Sequence, residues 1–180
     1  MKKIFKIPHM SVKDMCTAAL LLAITVVLAI FGTFRIGNAI KIPIKFISVF
    51  ISAYLFGPWI GGFCGGMGDI LNALIVPVGA WLPQLTALEF LSGFIYGALF
   101  YSRKSRGAGY ILRVVVCTVL LFLSDMLLTT AVLVQTGYFP SFEAAFSVRI
   151  AAGIIKAVLQ LAVLSSGCGY LTLFKRIGRK

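Results

Sequence analysis

Phe46–Gly68 reads FISVFISAYLFGPWIGGFCGGMG, 23 residues without a charge, and the way this run breaks decides the fold. A helix crossing the hydrocarbon core needs about 20 apolar residues, so length alone would allow a single crossing here. Phe56-Gly57-Pro58 interrupts it: the residue before a proline is disfavoured in helical geometry, and Gly61, Gly62, Gly65, Gly66 and Gly68 follow. The run is therefore expected to be two helices, one ending near Leu55 and one beginning near Trp59.

Applied outward, the same reading gives six spans. Met15–Phe34 is uncharged over 20 residues. The second and third helices come from the divided run, the third continuing to about Val76 before Pro77-Val78-Gly79. The fourth covers about Pro83–Tyr101, the fifth Leu112–Val134 and the sixth Phe146–Leu173. Composition agrees: 60% of the 180 residues are hydrophobic and only 12% charged, about half the charged fraction of a soluble domain. A soluble enzyme and a disordered chain are both excluded. The basic start (Lys2, Lys3, Lys6) mimics a signal peptide, but the first run is long and further spans follow, so it reads as a retained helix. The expected architecture is one domain over residues 1–180, an all-α bundle of six transmembrane helices.

Seventeen Lys and Arg face five Asp and Glu, a formal charge of +12. The positive-inside rule assigns that excess to topology rather than to nucleic acid. With six spans both termini share a side, and that side collects 12 of the 17 basic residues: Lys2, Lys3, Lys6, Lys13, Arg103, Lys104, Arg106, Arg113, Lys175, Arg176, Arg179 and Lys180. Both termini are expected in the cytoplasm of a multi-pass plasma-membrane protein.

The five remaining cations carry the information. Arg35 and Lys41 lie in the first outside connection, Lys45 starts the second helix, and Arg149 and Lys156 sit seven apart on one face of the sixth. A basic residue at membrane depth costs about 2.5–3.5 kcal/mol on insertion scales, so each must snorkel, pair with an acid or face a polar cavity. Asp69, Glu89, Asp125 and Glu143 are the acids available; Asp125 with Lys156, or Glu89 with Arg149, are candidate structural pairs. No catalytic or metal-ligand signature is present. His9 is the single histidine, and Cys16, Cys64, Cys117 and Cys168 are scattered in or beside apolar runs. No enzyme, cofactor or metal is expected, and without a P-loop the chain cannot use ATP by itself.

Small residues recur at helical spacing, where they let helices approach closely in lipid: Gly61/Gly65, Gly62/Gly66, Gly93/Gly97 and, on the first helix, Ala19/Ala23. The glycines suit internal packing. The alanine face suits either internal packing or a partner's helix.

Lys41-Ile-Pro-Ile-Lys-Phe-Ile, Leu55-Phe56-Gly57-Pro58, Gly68-Asp69, Pro77, Trp81-Leu82-Pro83, Thr86 and Leu91-Ser-Gly-Phe-Ile-Tyr96-Gly97 occur in this order. Together they resemble the substrate-binding S components of energy-coupling-factor (ECF) vitamin transporters and are most similar to the folate-type members. The resemblance is dense over residues 35–101. It implies a subunit that binds a vitamin from outside and joins a scaffold membrane subunit and two ATPases, docking through Ala19 and Ala23. It also implies a site built from the first outside loop and later helices, with Arg35, Asn38 and Lys41 as the loop candidates and Arg149 on the sixth helix. For folate, two carboxylates would meet the Arg and Lys side chains, and the flat pterin would need aromatic and amide-type partners, for which Trp81, Tyr96, Phe139, Asn38 and Gln84 are candidates; Glu89 is a further substrate-binding candidate. Gln84 stands where folate-type members carry a small glycine, and the connection Gln135–Glu143 has no matching pattern. Pantothenate, a pyridoxine-like vitamin and a queuosine precursor therefore remain alternative ligands. A self-sufficient proton-coupled transporter using Asp125 or Glu89 is the alternative from a different class.

Overall fold

The computed structural model describes residues 11–36, 40–76, 81–101, 107–137 and 141–177; at 33–36, 40–43, 144, 148 and 167–177 it describes the backbone alone. Helix α1 covers Val12–Phe31, α2 Phe46–Phe56, α3 Pro58–Ile75 and α4 Pro83–Phe100. Helix α5 covers Ala108–Ser124, a π-helical turn Asp125–Thr129, α6 Thr130–Gln135 and α7 Phe142–Ile177. Backbone angles stay helical from Ser124 through Thr130, so α5, the π turn and α6 form one rod. The result is a six-helix membrane bundle, as expected.

Two local features differ from the expectation. Strands β1 (Thr33–Ile36) and β2 (Ile40–Pro43) pair antiparallel between α1 and α2, and β2 packs against α7. A short ribbon in a connection satisfies its backbone groups locally, which an all-helical reading does not anticipate. Helix α2 has only 11 residues, a rise of about 16 Å, half of what the hydrocarbon core requires. By length and composition the clear crossings are α1, α5–α6 and the Ala145–Ser166 part of α7.

The break between α2 and α3 falls where the sequence put it. Gly57 takes φ 99°, a conformation that strains any side chain, and Pro58 opens α3 at a position where its missing N–H is harmless. Helices α3 and α4 then pack backbone to backbone. A Cβ at Gly61 would come 2.9 Å from the Gly93 carbonyl oxygen, and one at Gly93 would land on the Gly61 carbonyl. The small residues thus do internal packing, and Gly93→Ala is expected to lower stability by about 1–3 kcal/mol through forced separation of the helices; thermal unfolding of the purified protein measures it.

An aromatic cluster fills the centre. Phe50 meets Tyr96 and Phe100 edge-on at 5.5 and 5.2 Å, and Phe100 meets Tyr110 at 5.7 Å. Tyr110 Oη donates to the Leu164 carbonyl at 2.6 Å, tying α5 to α7. Ser48 donates to the Leu21 carbonyl at 2.8 Å and lies 3.0 Å from the Thr25 hydroxyl, tying α2 to α1. Such interhelical hydrogen bonds act as glue in lipid. Large apolar side chains on α1, α5 and α7 point outward instead, among them Leu20, Val27, Ile111, Leu112, Val119 and Val158.

Candidate functional site

Between α2, α3 and α4 on one side and the π turn and α7 on the other lies a cavity of about 180 Å³. Helical periodicity builds its walls. On α4, Leu85, Glu89, Ser92 and Tyr96 recur at spacings of three and four and share one face. On α7, Lys156 and Gln160 do the same, and on the rod of α5 and α6 Leu121, Asp125 and Thr129 line the opposite side. A π turn is a single-turn widening of a helix that often marks a functional site, and here it begins at the acid that faces the cavity.

Two ion clusters flank this space. In the first, the Lys45 ammonium lies 3.0 Å from Glu89 Oε1 and 3.5 Å from Asp69 Oδ1. Thr86 donates to Asp69 Oδ2 at 2.8 Å, and Trp81 Nε1 donates to Thr86 Oγ1 at 3.1 Å. In the second, Asp125 receives Arg149 and Thr129 on Oδ1 at 3.2 and 3.0 Å, and Lys156 on Oδ2 at 3.2 Å. With all six groups ionised, the first cluster carries one surplus negative charge and the second one surplus positive charge. A ligand in the cavity therefore meets unlike walls.

Three buried polar atoms among the described residues have no partner: Arg149 Nη1, Gln160 Nε2 and Thr130 Oγ1. Buried donors are nearly always paired, so the open donor of Gln160, which lines the cavity, marks a place for an acceptor. No group of three His, Cys, Asp or Glu suited to a metal gathers among the described residues.

The expected site residues divide as follows. Glu89 and Tyr96 line the cavity. Arg149 stands behind the wall and reaches it through Asp125. Trp81 and Gln84 are exposed at the start of α4, Trp81 connecting to the cavity through Thr86 and Asp69. Arg35 and Lys41 are directly opposite one another in the register of the β1–β2 ribbon. Asn38 and Phe139 lie outside the described residues.

The pairings also need correction. Asp125 does pair with Lys156, but Glu89 pairs with Lys45 rather than with Arg149, because Lys45 at the entry to α2 is nearer to α4 than α7 is to Glu89. Neither carboxylate offered as a proton carrier stands free, since each is held by at least one cation. Lys45, Asp69, Ser92, Ser124, Thr129 and Gln160 were not among the candidate site residues. Gln160 had a readable signal: it sits four residues after Lys156 and eleven after Arg149, on the same helical face.

Comparison with known proteins follows this geometry. The family described as "ECF transporter, substrate-specific component" matches residues 13–166. The chain is 38% identical over 85 residues to the folate transporter FolT of Clostridium novyi (strain NT), a match spanning 47% of this chain and 49% of that protein. The match thus spans about half the length of that curated relative. In three dimensions the fold is similar to the crystal structure of FolT bound with folic acid, with a TM-score of 0.73, 25% identity, and 89% of this chain and 93% of that one covered.

Proposed function

The chain belongs to the substrate-specific components of ECF transporters, and from that membership we propose that it captures folate from outside the cell and delivers it through a shared ATP-driven module. The carrying observation is the cavity between unlike charged walls, in a fold similar to that of a FolT bound with folic acid. A neutral pterin suits the enclosed part. Its volume lies below the 300–1,000 Å³ of sites that enclose a whole drug-sized ligand, so the glutamate end would extend beyond it toward cations. The surplus positive charge on the α7 side, and Arg35 and Lys41 on the ribbon that packs against α7, supply those cations.

Orientation in this proposal follows the charge asymmetry: both termini cytoplasmic, the β1–β2 ribbon outside, the membrane the plasma membrane. The partners are the lipid bilayer, the scaffold membrane subunit and two ATPases, with no nucleic acid.

Titration of the purified protein with folic acid tests the substrate. Binding at a stoichiometry near one is expected, and Arg35→Ala with Lys41→Ala should weaken it by about tenfold or more, the scale of a lost charge-assisted hydrogen bond. No binding of folic acid, with tight binding of pantothenate, a pyridoxine-like vitamin or a queuosine precursor, would replace the substrate and keep the class. Unchanged affinity in the double variant would assign both cations to lipid headgroups.

A further inference from the structure

We infer that Gln160 is a specificity-determining residue that donates from Nε2 to an acceptor on the ring end of the ligand. The inference rests on the folate reading and deepens it. Gln160 is 3% exposed, lines the cavity, and buries an amide N–H donor with no partner. The nearby carboxylates are engaged with other groups. Both oxygens of Asp125 are taken by Arg149, Thr129 and Lys156, and Glu89 is taken by Lys45. An unpaired buried amide is unfavourable in the empty protein, and a ligand that brings a carbonyl or ring-nitrogen acceptor removes that penalty. A ligand with an apolar edge does not. A hydrogen-bonding site discriminates far more strongly than an apolar pocket for this reason.

Of this face of α7, Lys156 and Gln160 line the cavity. One turn before Lys156 the face closes: at Gly153, Met126 and Phe122 pack so closely that a Cβ would meet Met126 Cε at 2.7 Å. The ring therefore occupies the cavity beside Gln160.

A small void behind Gln160, about 10 Å³ and bounded by Asp125, Gly153 and Lys156, is close to the space one water needs. That water is the rival partner for the amide, and the test separates the two. Gln160→Met keeps the length of the side chain and deletes the donor. Competition is measured with folic acid, with p-aminobenzoyl-glutamate as the anionic half, and with a hydroxymethyl pterin as the ring half, alongside thermal unfolding of the ligand-free protein. Expected results are an approximately tenfold or greater loss for folic acid and the pterin, unchanged competition by the anionic half, and a ligand-free midpoint equal to or above wild type. Wild-type affinity for folic acid in Gln160→Met would mean the amide is satisfied inside the protein and would overturn the inference. Equal loss for both halves with a lowered midpoint would make Gln160 a packing residue and overturn it too. Failure of folic acid to bind the wild-type protein would remove the folate reading and this inference together, an outcome distinguishable from both.

Discussion

Lys45→Met is expected to destabilise the protein by about 3 kcal/mol, the lower end of the range for breaking a buried ion pair. The Lys45 side chain is 10% exposed, and its partners Asp69 and Glu89 are 21% and 31% exposed. Deleting the cation leaves two carboxylates beside the space that Lys45 neutralises. Their partial contact with solvent is the reason the lower end applies. For a chain of this size that corresponds to a fall in the thermal midpoint on the order of 10 °C, measured on purified protein in detergent. Ligand binding should fall as well, because the first cluster then carries two unbalanced negative charges beside an anionic ligand. The double variant Lys45→Met/Glu89→Gln restores the cluster to its original net charge and should recover about 1–3 kcal/mol, the coupling expected between contacting groups. A single variant as stable as wild type would show that the carboxylates are solvated through the cavity, and the cluster would then have no structural role.

The fold was legible because lipid imposes its demands on composition. Long apolar runs with few or no charges located the helices, and Phe56-Gly57-Pro58 located the joint, since a positive φ at Gly57 followed by proline leaves few alternatives. Physics of another kind governed what was missed. The β1–β2 ribbon consists of two four-residue strands, TFRI and IKIP, too short for alternation to rise above chance. The π turn at Asp125–Thr129 is a backbone register change that no residue type announces. It is consistent with the open structure around Asp125, where three donors converge on one carboxylate.

For the site, sequence alone narrowed the charged groups to those stranded away from the cytoplasmic face, and the two ion clusters are drawn from that set. It could not choose partners within it. Pairing depends on which helices are neighbours, and Lys45 reaches α3 and α4 because the short α2 packs against both. Gln160 is neutral, so a pattern of stranded charges does not single it out. In a buried setting an unpaired neutral amide carries as much specificity as an ion pair already satisfied.

Leu at both Ala19 and Ala23 is expected to abolish uptake while leaving folic acid binding intact. Both alanines are exposed on α1, as is Cys16 one turn earlier, and they form a strip of small side chains beside the bulkier exposed Leu20, Ile24 and Val27. Among the described residues no other helix covers these positions, so internal packing, one of the two uses open to this face, does not account for it. Against lipid the strip has no purpose either, since acyl chains accept Leu as readily as Ala. Small residues matter where a second backbone comes close, and in the proposed function that backbone belongs to the scaffold subunit. Leucine is nearly as good a helix former as alanine, and an exposed substitution of this kind changes stability by less than about 0.5 kcal/mol. The chain should therefore fold, insert and bind as before. Added bulk would hold the partner helix away, and uptake of labelled folate in cells supplying the scaffold and ATPases should fall at least ~10-fold, to background, because close contact is lost along the whole strip. Leu20→Ala on the adjoining face serves as the control and should transport normally. Full uptake by the double leucine variant would move docking to another surface, and loss of binding together with uptake would return the strip to the interior of the bundle.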